Sequence, residues 1–186
     1  MLNLLKLFEM NPNFNKVVID ASNYFDEFNY KINMIGKDFN NVVDQLKSID
    51  DQIQQIYNDN NQNPKSLRAV PNNLIIVFGI DKFMNKLDDE HKNIFKDILT
   101  HNKETLKINF LMIDIPGAFK KFEYDDWYKS NVNSNEGIWI GGGITQQYLI
   151  KTTVQPSSIS NIDNDFGVMV KNGTPIVVKL INEIKK

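Results

Sequence analysis

Three aspartates follow apolar runs that are typical of buried strands, and their carboxylates are the side chains best suited to chemistry. Asp20, Asp81 and Asp114 stand at or just beyond the ends of these runs. Ligands of open α/β sheets bind outside the carboxyl ends of the strands, and Mg²⁺ prefers oxygen ligands. One hypothesis is therefore a Mg²⁺ site for phosphoryl chemistry. Aspartate after a strand is also an ordinary turn former or helix cap, and we favour that interpretation.

A second candidate for chemistry is the run Gly141, Gly142 and Gly143, which follows the apolar segment GIWI. Backbone amides of a glycine turn can bind phosphate, but a P-loop requires GxxxxGK[ST] and a dinucleotide turn requires GxGxxG. Neither pattern occurs in the chain. The three glycines are therefore predicted to form a tight turn at a strand end.

Composition excludes several classes of protein. The 186 residues include no cysteine and only two histidines, His91 and His101, which excludes zinc fingers and cysteine nucleophiles. Acidic residues number 23 and basic residues 21, and Arg68 is the only arginine. Proteins that bind the phosphate backbone concentrate Lys and Arg on one face, so nucleic acid is not an expected partner.

The pattern of apolar residues predicts an α/β domain with a mostly parallel sheet. A continuous apolar run such as LIIVF, at 74–78, is typical of a central strand. The C-terminal hairpin is expected at a sheet edge or as an appended ribbon. The predicted elements are helices over 1–10, 37–57, 88–101 and 124–129, strands over 16–20, 74–78, 108–113 and 137–140, and a hairpin of 167–170 and 175–180 that turns at Asn172-Gly173.

Aromatic residues are dense around 122–139 and form either core or an exposed patch for a partner. Trp127, Tyr128 and Trp139 are the predicted partner-binding residues. On that hypothesis, Trp127→Ala weakens substrate capture and leaves the domain folded.

Four segments, in order, resemble parts of one known family. LNLLKLF resembles the helix after a P-loop, NKVVIDAS the next strand, LIIVFGIDKFM the Walker B strand and turn, and EGIWIGGGITQQYLI a late segment with glycines and a glutamine. Their order and spacing resemble the last ATPase-like domain of the membrane coupling protein of type VIIb secretion, the EssC family within the FtsK/SpoIIIE class.

The resemblance implies a three-layer αβα, P-loop-NTPase-like (RecA-like) fold, with residues 1–186 forming one degenerate ATPase domain. The P-loop is expected upstream of Met1, outside this chain. When DKFM is aligned with the end of a Walker B segment, its two carboxylate positions fall on Phe78 and Gly79, and Asp81 lies just beyond. Neither Phe78 nor Gly79 has a side chain that can bind Mg²⁺ or activate water. The resemblance thus implies no catalytic residue, no metal and no cofactor, with ATP and Mg²⁺ possible only if the missing P-loop segment is present.

By the same resemblance, the partners are secreted WXG100-type proteins or effectors and neighbouring ATPase domains, stacked in a hexamer at the cytoplasmic face of the membrane. An apolar groove is expected to accept a helical export signal. Two alternatives remain open: a Mg²⁺-dependent phosphoryl-transfer or nucleotide-hydrolysing domain that uses Asp20, Asp81 and Asp114, and a purely structural docking domain.

Overall fold

The computed structural model describes residues 14–24, 38–105, 107–153, 159, 162–163 and 165–180. The chain divides into two compact units: Met10–Asn131 belongs to the larger one and Val132–Lys186 to the smaller one. The expectation that residues 1–186 form one ATPase-type domain stays a prediction.

A three-stranded parallel sheet organises the larger unit. Its strands are β1 (Phe14–Asp20), β2 (Asn72–Phe78) and β3 (Ile108–Ile113), in the order β1-β2-β3. The central strand β2 is buried along nearly its whole length, as its continuous apolar sequence predicted.

In the described part of the larger unit, five helices and a short 3₁₀ helix at Pro64–Ala69 lie between or after these strands along the chain. The helices are α1 (Phe39–Asp59), α2 (Ile80–Lys86), α3 (Asp89–Thr105), α4 (Pro116–Lys120) and α5 (Asp126–Asn131). Helix α1 begins after Asp38, whose side chain accepts a hydrogen bond from the Asn41 N–H. Its buried face repeats at steps of three and four, which is the amphipathic pattern seen in the sequence.

Aromatic side chains link the helices to the sheet through a chain of edge-to-face contacts. Ring centroids lie 5.5 Å apart between Phe39 and Phe83, 5.1 Å between Phe83 and Phe95, and 5.7 Å between Phe95 and Phe110. Edge-to-face pairs stabilise by about 0.5–1.5 kcal/mol each beyond their buried area. Helices α1 and α3 therefore pack on the sheet as one core, whereas the three-layer arrangement stays a prediction.

Two short helices that the sequence did not predict follow strands β2 and β3. Gly79 precedes α2 in a left-handed conformation, and its carbonyl accepts the Phe83 N–H at 2.8 Å. Pro116 occupies the first turn of α4, where its missing N–H costs nothing. Helices of seven and five residues hold too few turns for their periodicity to be visible. The helix predicted over 1–10 lies outside the described residues.

The smaller unit contains a separate antiparallel sheet of β4 (Gly137–Ile140), β5 (Phe166–Lys171) and β6 (Thr174–Lys179). The hairpin prediction is confirmed, since Asn172 and Gly173 adopt φ angles of 50° and 77° between β5 and β6. Strand β4 pairs antiparallel with β5. The expectation of a mostly parallel sheet is therefore wrong for the C-terminal part, where three strands form their own sheet.

No helix among the described residues is long and apolar enough to cross a bilayer.

Candidate functional site

The three strand-end aspartates lie at the carboxyl edge of the parallel sheet, and each has its own local partners. Asp20 Oδ1 accepts the Ser22 hydroxyl at 3.0 Å, and Asp114 Oδ1 accepts the Ile115 N–H at 2.8 Å. The Asp81 N–H donates to Asp114 Oδ2 at 3.4 Å, so these two residues are neighbours. In the described part of the chain, no three His, Asp or Glu side chains form a group that could hold a metal ion.

The carboxylate of Asp81 is already neutralised by a protein cation. Its Oδ2 forms an ion pair with Lys121 Nζ, and its Oδ1 accepts the Asn85 side-chain amide at 3.1 Å. Binding of Mg²⁺ would require Asp81 to release this ammonium group. Lys121 was not identified from the sequence, because no spacing rule connects it with a residue 40 positions away.

Phe78 is a packed side chain at the end of β2. It is 3% exposed, and its ring stacks on Tyr24 with centroids 5.7 Å apart and planes 9° from parallel. Its carbonyl accepts the Ala21 N–H at 3.0 Å, which joins the ends of β1 and β2. An apolar ring therefore occupies this strand end and binds no metal ion.

Gly79 is required by backbone conformation and by crowding. Its φ is +78°, and a Cβ added here would lie 3.1 Å from the Ser22 Cβ. Its N–H donates to the Ile113 carbonyl at 3.0 Å, so the residue also ties β2 to β3. A carboxylate side chain at this position would be strained.

Trp127 is a core residue. It is 5% exposed, its indole N–H donates to Asp125 Oδ2 at 2.9 Å, and its ring contacts Phe122 and Tyr128 at centroid distances of 5.4 and 5.7 Å. This burial corrects the expectation that Trp127→Ala leaves the fold intact. Tyr128 is half-buried against the same core.

Trp139 lies in the smaller unit, so the three aromatic residues of the predicted patch are divided between the units. Its indole N–H donates to the Gly142 carbonyl at 2.8 Å, and the ring packs on the cluster of Ile144, Ile159, Val168 and Val170. Directly after β4 the chain bends at Gly141 and Gly142, and Gly141 and Gly143 adopt left-handed φ angles of 84° and 85°. Partner binding by these aromatic residues stays a prediction.

An apolar groove of about 660 Å³ lies at the opposite end of the parallel sheet, beside the starts of β1 and β2. One wall is α1, where Ile49, Ile53 and Ile56 recur at steps of four and three. The 3₁₀ helix and the residues after it form the other wall, with Ala69, Val70 and Pro71. Ile56 is 37% exposed, so the groove presents an accessible aliphatic side chain.

Two amide side chains at this groove, those of Asn15 and Asn73, are hydrogen-bonded within the protein. Asn15 Nδ2 donates to Asn73 Oδ1 at 3.3 Å, and Asn73 Nδ2 donates to the Lys107 carbonyl at 3.3 Å. Apolar surface therefore dominates what a ligand would meet, and such a groove suits aliphatic side chains. The sequence predicted the helix over 37–57 but not the groove, because the opposite wall is a separate 3₁₀ helix at Pro64–Ala69.

A charged cluster joins α1 to the start of α3, and it is called the clamp below. It consists of Asp44, Asp88 and His91. His91 Nδ1 lies 2.7 Å from Asp88 Oδ1, and His91 Nε2 lies 3.4 Å from Asp44 Oδ1. The Asn40 amide donates to Asp88 Oδ2 at 2.8 Å. Hydrogen bonding to Asp88 raises the pKa of His91 above its usual 6.5, while the backbone N–H and ring of His91 lower the pKa of Asp88 below 3.8.

Replacing His91 by glutamine is expected to remove a pH-dependent part of the stability. A raised histidine pKa stabilises the fold below its unfolded-state pKa, and that contribution is lost as the pH rises through the folded-state value. The lowered pKa of Asp88 stabilises the fold above its unfolded-state value, and that contribution is lost as the pH falls through the folded value. The difference in free energy of unfolding between the wild type and His91→Gln should therefore be greatest at mildly acidic pH, between the unfolded-state pKa of aspartate and that of histidine.

Denaturant midpoints of both proteins, measured from pH 4 to 9, check this expectation. His101→Gln is the matched control, since it makes the same replacement elsewhere on α3. A constant difference between wild type and His91→Gln across the range would contradict the clamp.

Comparison with known proteins shows the fold. No protein-family model matches the chain, and no curated protein matches it. The solved structures that match include EccC ATPases 2 and 3 of Thermomonospora curvata in complex with a signal sequence peptide, the cytoplasmic domain of EssC, and the cytoplasmic domain of the Thermomonospora curvata type VII secretion ATPase EccC.

These three matches cover 91%, 95% and 98% of this chain, with TM-scores of 0.61, 0.63 and 0.63. Sequence identity is 14%, 14% and 13%, so the likeness establishes the fold alone. The chain spans 31%, 35% and 22% of the matched chains. The resemblance seen in the sequence is thereby confirmed: this chain is similar in fold to the cytoplasmic ATPase domains of EccC and EssC.

Proposed function

We propose that this chain is a non-catalytic domain of a type VII secretion coupling ATPase, with a role in recognition of export substrates and in assembly. The observation that carries the proposal is the fold similarity to EccC and EssC, which extends over nearly the whole chain. One of these relatives is in complex with a signal sequence peptide. By analogy, the substrates are WXG100-type proteins or effectors.

The strand ends support a role without turnover. Nucleotide hydrolysis needs a carboxylate that holds Mg²⁺ and one that orients water. At the corresponding positions this chain has the buried ring of Phe78 and the crowded backbone of Gly79, while Asp81 pairs with Lys121. On this proposal the chain has no catalytic residue and needs no cofactor, and ATP with Mg²⁺ would bind only together with a P-loop segment.

The position within the machine is also proposed by analogy. The matched EccC and EssC structures are cytoplasmic domains of proteins several times longer than this chain. Neighbouring ATPase domains of the same protein, a hexamer of the full machine and the cytoplasmic face of the membrane are therefore the proposed surroundings.

The groove between α1 and the 3₁₀ helix is the proposed site for the export signal. An amphipathic helix binds a groove through a few apolar side chains at helical spacing. Ile49 and Ile56 provide the accessible aliphatic surface of this wall, while Ile53 is buried beneath them. The side chains of Asn15 and Asn73 are already hydrogen-bonded to protein groups. A helical signal with aliphatic anchors is thus the occupant that fits.

Replacing Ile56 by lysine is expected to weaken binding of a synthetic WXG100-type signal peptide at least tenfold. Tenfold corresponds to about 1.4 kcal/mol, which is within the range for loss of one buried aliphatic contact. The substitution places a charge in an apolar groove, and Ile56 is exposed enough for the fold to tolerate it. Fluorescence anisotropy of the labelled peptide measures the affinity.

Ile115→Lys is the matched control, because Ile115 is 70% exposed and lies outside the groove. This variant should bind the peptide as the wild type does. Equal weakening by both substitutions would reject the groove as the site. Absence of peptide binding by folded wild-type protein would instead favour the structural docking role.

A further inference from the structure

The two outer strands of the antiparallel sheet differ in how their edges are protected. An open edge offers unpaired N–H and C=O groups to another strand, and proteins commonly block such edges with proline or lysine. Strand β6 is blocked in this way, whereas β4 is not. The difference identifies β4 as an edge on which a further strand can pair.

On β6 the blocking residues lie at the positions that face outward. Leu180 donates its N–H to the Asp165 carbonyl at 2.7 Å, so even-numbered residues of β6 direct their backbone groups towards β5. Pro175, Val177 and Lys179 therefore direct theirs away from the sheet. Proline removes one donor at this edge, and lysine adds a charge.

On β4 the outward positions are isoleucines. Gly141 donates its N–H to the Phe166 carbonyl at 3.0 Å, so odd-numbered residues of β4 face β5. The backbone groups of Ile138 and Ile140 then point away, and no described residue hydrogen-bonds to them. Their side chains are 51% and 54% exposed. Strand β4 carries neither charge nor proline.

The exposed isoleucines continue into an apolar face of the sheet. Ile138 lies opposite Met169, and Met169 lies opposite Ile176, which is 44% exposed. Ile140 lies opposite Gly167. This position has no room for a side chain, because an added Cβ would lie 2.8 Å from the Trp139 carbonyl oxygen. An added strand would therefore gain both edge hydrogen bonds and apolar cover on this face.

We propose that β4 pairs antiparallel with β4 of a second copy of this chain, joining two three-stranded sheets into one of six strands. A two-fold axis through Trp139 places Ile138 opposite Ile140 of the second copy, in a hydrogen-bonded pair. The four isoleucines then form one apolar row, and Glu136 falls opposite the uncharged Gly142 of the second copy. In this register no two like charges lie opposite each other across the interface. The same surface can therefore pair with itself, as a two-fold interface requires.

Sedimentation of the 186-residue chain at increasing concentration tests this pairing. The wild type is expected to form dimers, and Ile138→Lys and Ile140→Lys should each raise the dimer dissociation constant at least tenfold. Both side chains are exposed, so circular dichroism should show unchanged folding. The matched control Ile115→Lys should dimerise as the wild type does. A wild-type chain that stays monomeric up to about 1 mM would overturn the proposal.

The register is tested separately with cysteines, since the chain has none of its own. A mixture of Ile138→Cys and Ile140→Cys chains, treated with a short thiol cross-linker, should give mostly the mixed dimer. A mixed dimer at only its random share of about one half, or dimers that survive Ile140→Lys, would place the interface elsewhere and overturn the proposal. Pairing of β4 with an extended segment of another protein would appear as a monomeric wild type.

Discussion

Replacing Trp127 by alanine is expected to lower the free energy of unfolding of the larger unit by about 3–5 kcal/mol. The ring is 5% exposed and lies between Phe122 and Tyr128, so its removal leaves a cavity that neighbours fill only in part. The indole N–H also satisfies Asp125 Oδ2, and that carboxylate loses a donor. Denaturant unfolding followed by circular dichroism measures the change.

Tyr124→Ala is the matched control, three residues earlier in the same segment. Tyr124 is 78% exposed, and the Lys129 ammonium lies 5.9 Å from the centroid of its ring. Its loss should cost less than about 1 kcal/mol. If Trp127→Ala were as stable as Tyr124→Ala, the burial of Trp127 would be contradicted and the partner-binding hypothesis for it would regain support.

Replacing Gly79 by alanine is expected to destabilise the larger unit by roughly 1–3 kcal/mol. The residue adopts φ +78°, and the new Cβ would lie 3.1 Å from the Ser22 Cβ and 3.2 Å from its backbone nitrogen. Relief would require movement of the β1 end, which Phe78 holds through its bond to Ala21. The midpoint of urea denaturation reports the effect.

Gly117→Ala provides a control of the same chemical size and the opposite expected sign. Gly117 lies within α4, and an added Cβ meets no atom within 4 Å. Alanine favours a helix over glycine by about 0.8–1.0 kcal/mol, so this variant should be at least as stable as the wild type. Equal destabilisation at both glycines would contradict the strained turn after β2.

The effect at Gly79 has a functional consequence. A carboxylate at this position would need the same left-handed backbone, and its Cβ would crowd Ser22. Position 78 also disfavours a carboxylate, since an aspartate in place of the buried Phe78 would be taken out of water without a partner. Packing and backbone conformation therefore account for both residues at this strand end, which supports the proposed role without turnover.

Long elements with a clear period could be predicted from the sequence. The stripe from Val42 to Ile53 predicted α1, the apolar run LIIVF predicted the buried β2, and Asn172-Gly173 predicted the hairpin. In each, local sequence and tertiary packing favour the same conformation. Strand bounds 108–113 and 137–140 agree with the structure to the residue.

The features that the sequence did not reveal depend on contacts between distant residues. The groove needs α1 beside the 3₁₀ helix, the Asp81–Lys121 pair joins residues 40 apart, and the buried position of Trp127 depends on neighbouring rings. The pairing of β4 with β5 also could not be predicted, because a four-residue apolar run suits either kind of sheet. The partly buried position of His91 between Asp44 and Asp88 likewise depends on packing against α1.

The most direct test of the proposed function is a map of where an export signal binds. Amide NMR spectra of the 186-residue chain are recorded during titration with a synthetic WXG100-type signal peptide. Saturable shifts confined to the groove, around Ile49, Ile53, Ile56 and Val70, are expected, and these shifts should be lost in Ile56→Lys. No shift at any peptide concentration, or shifts that lie elsewhere and persist in Ile56→Lys, would contradict it.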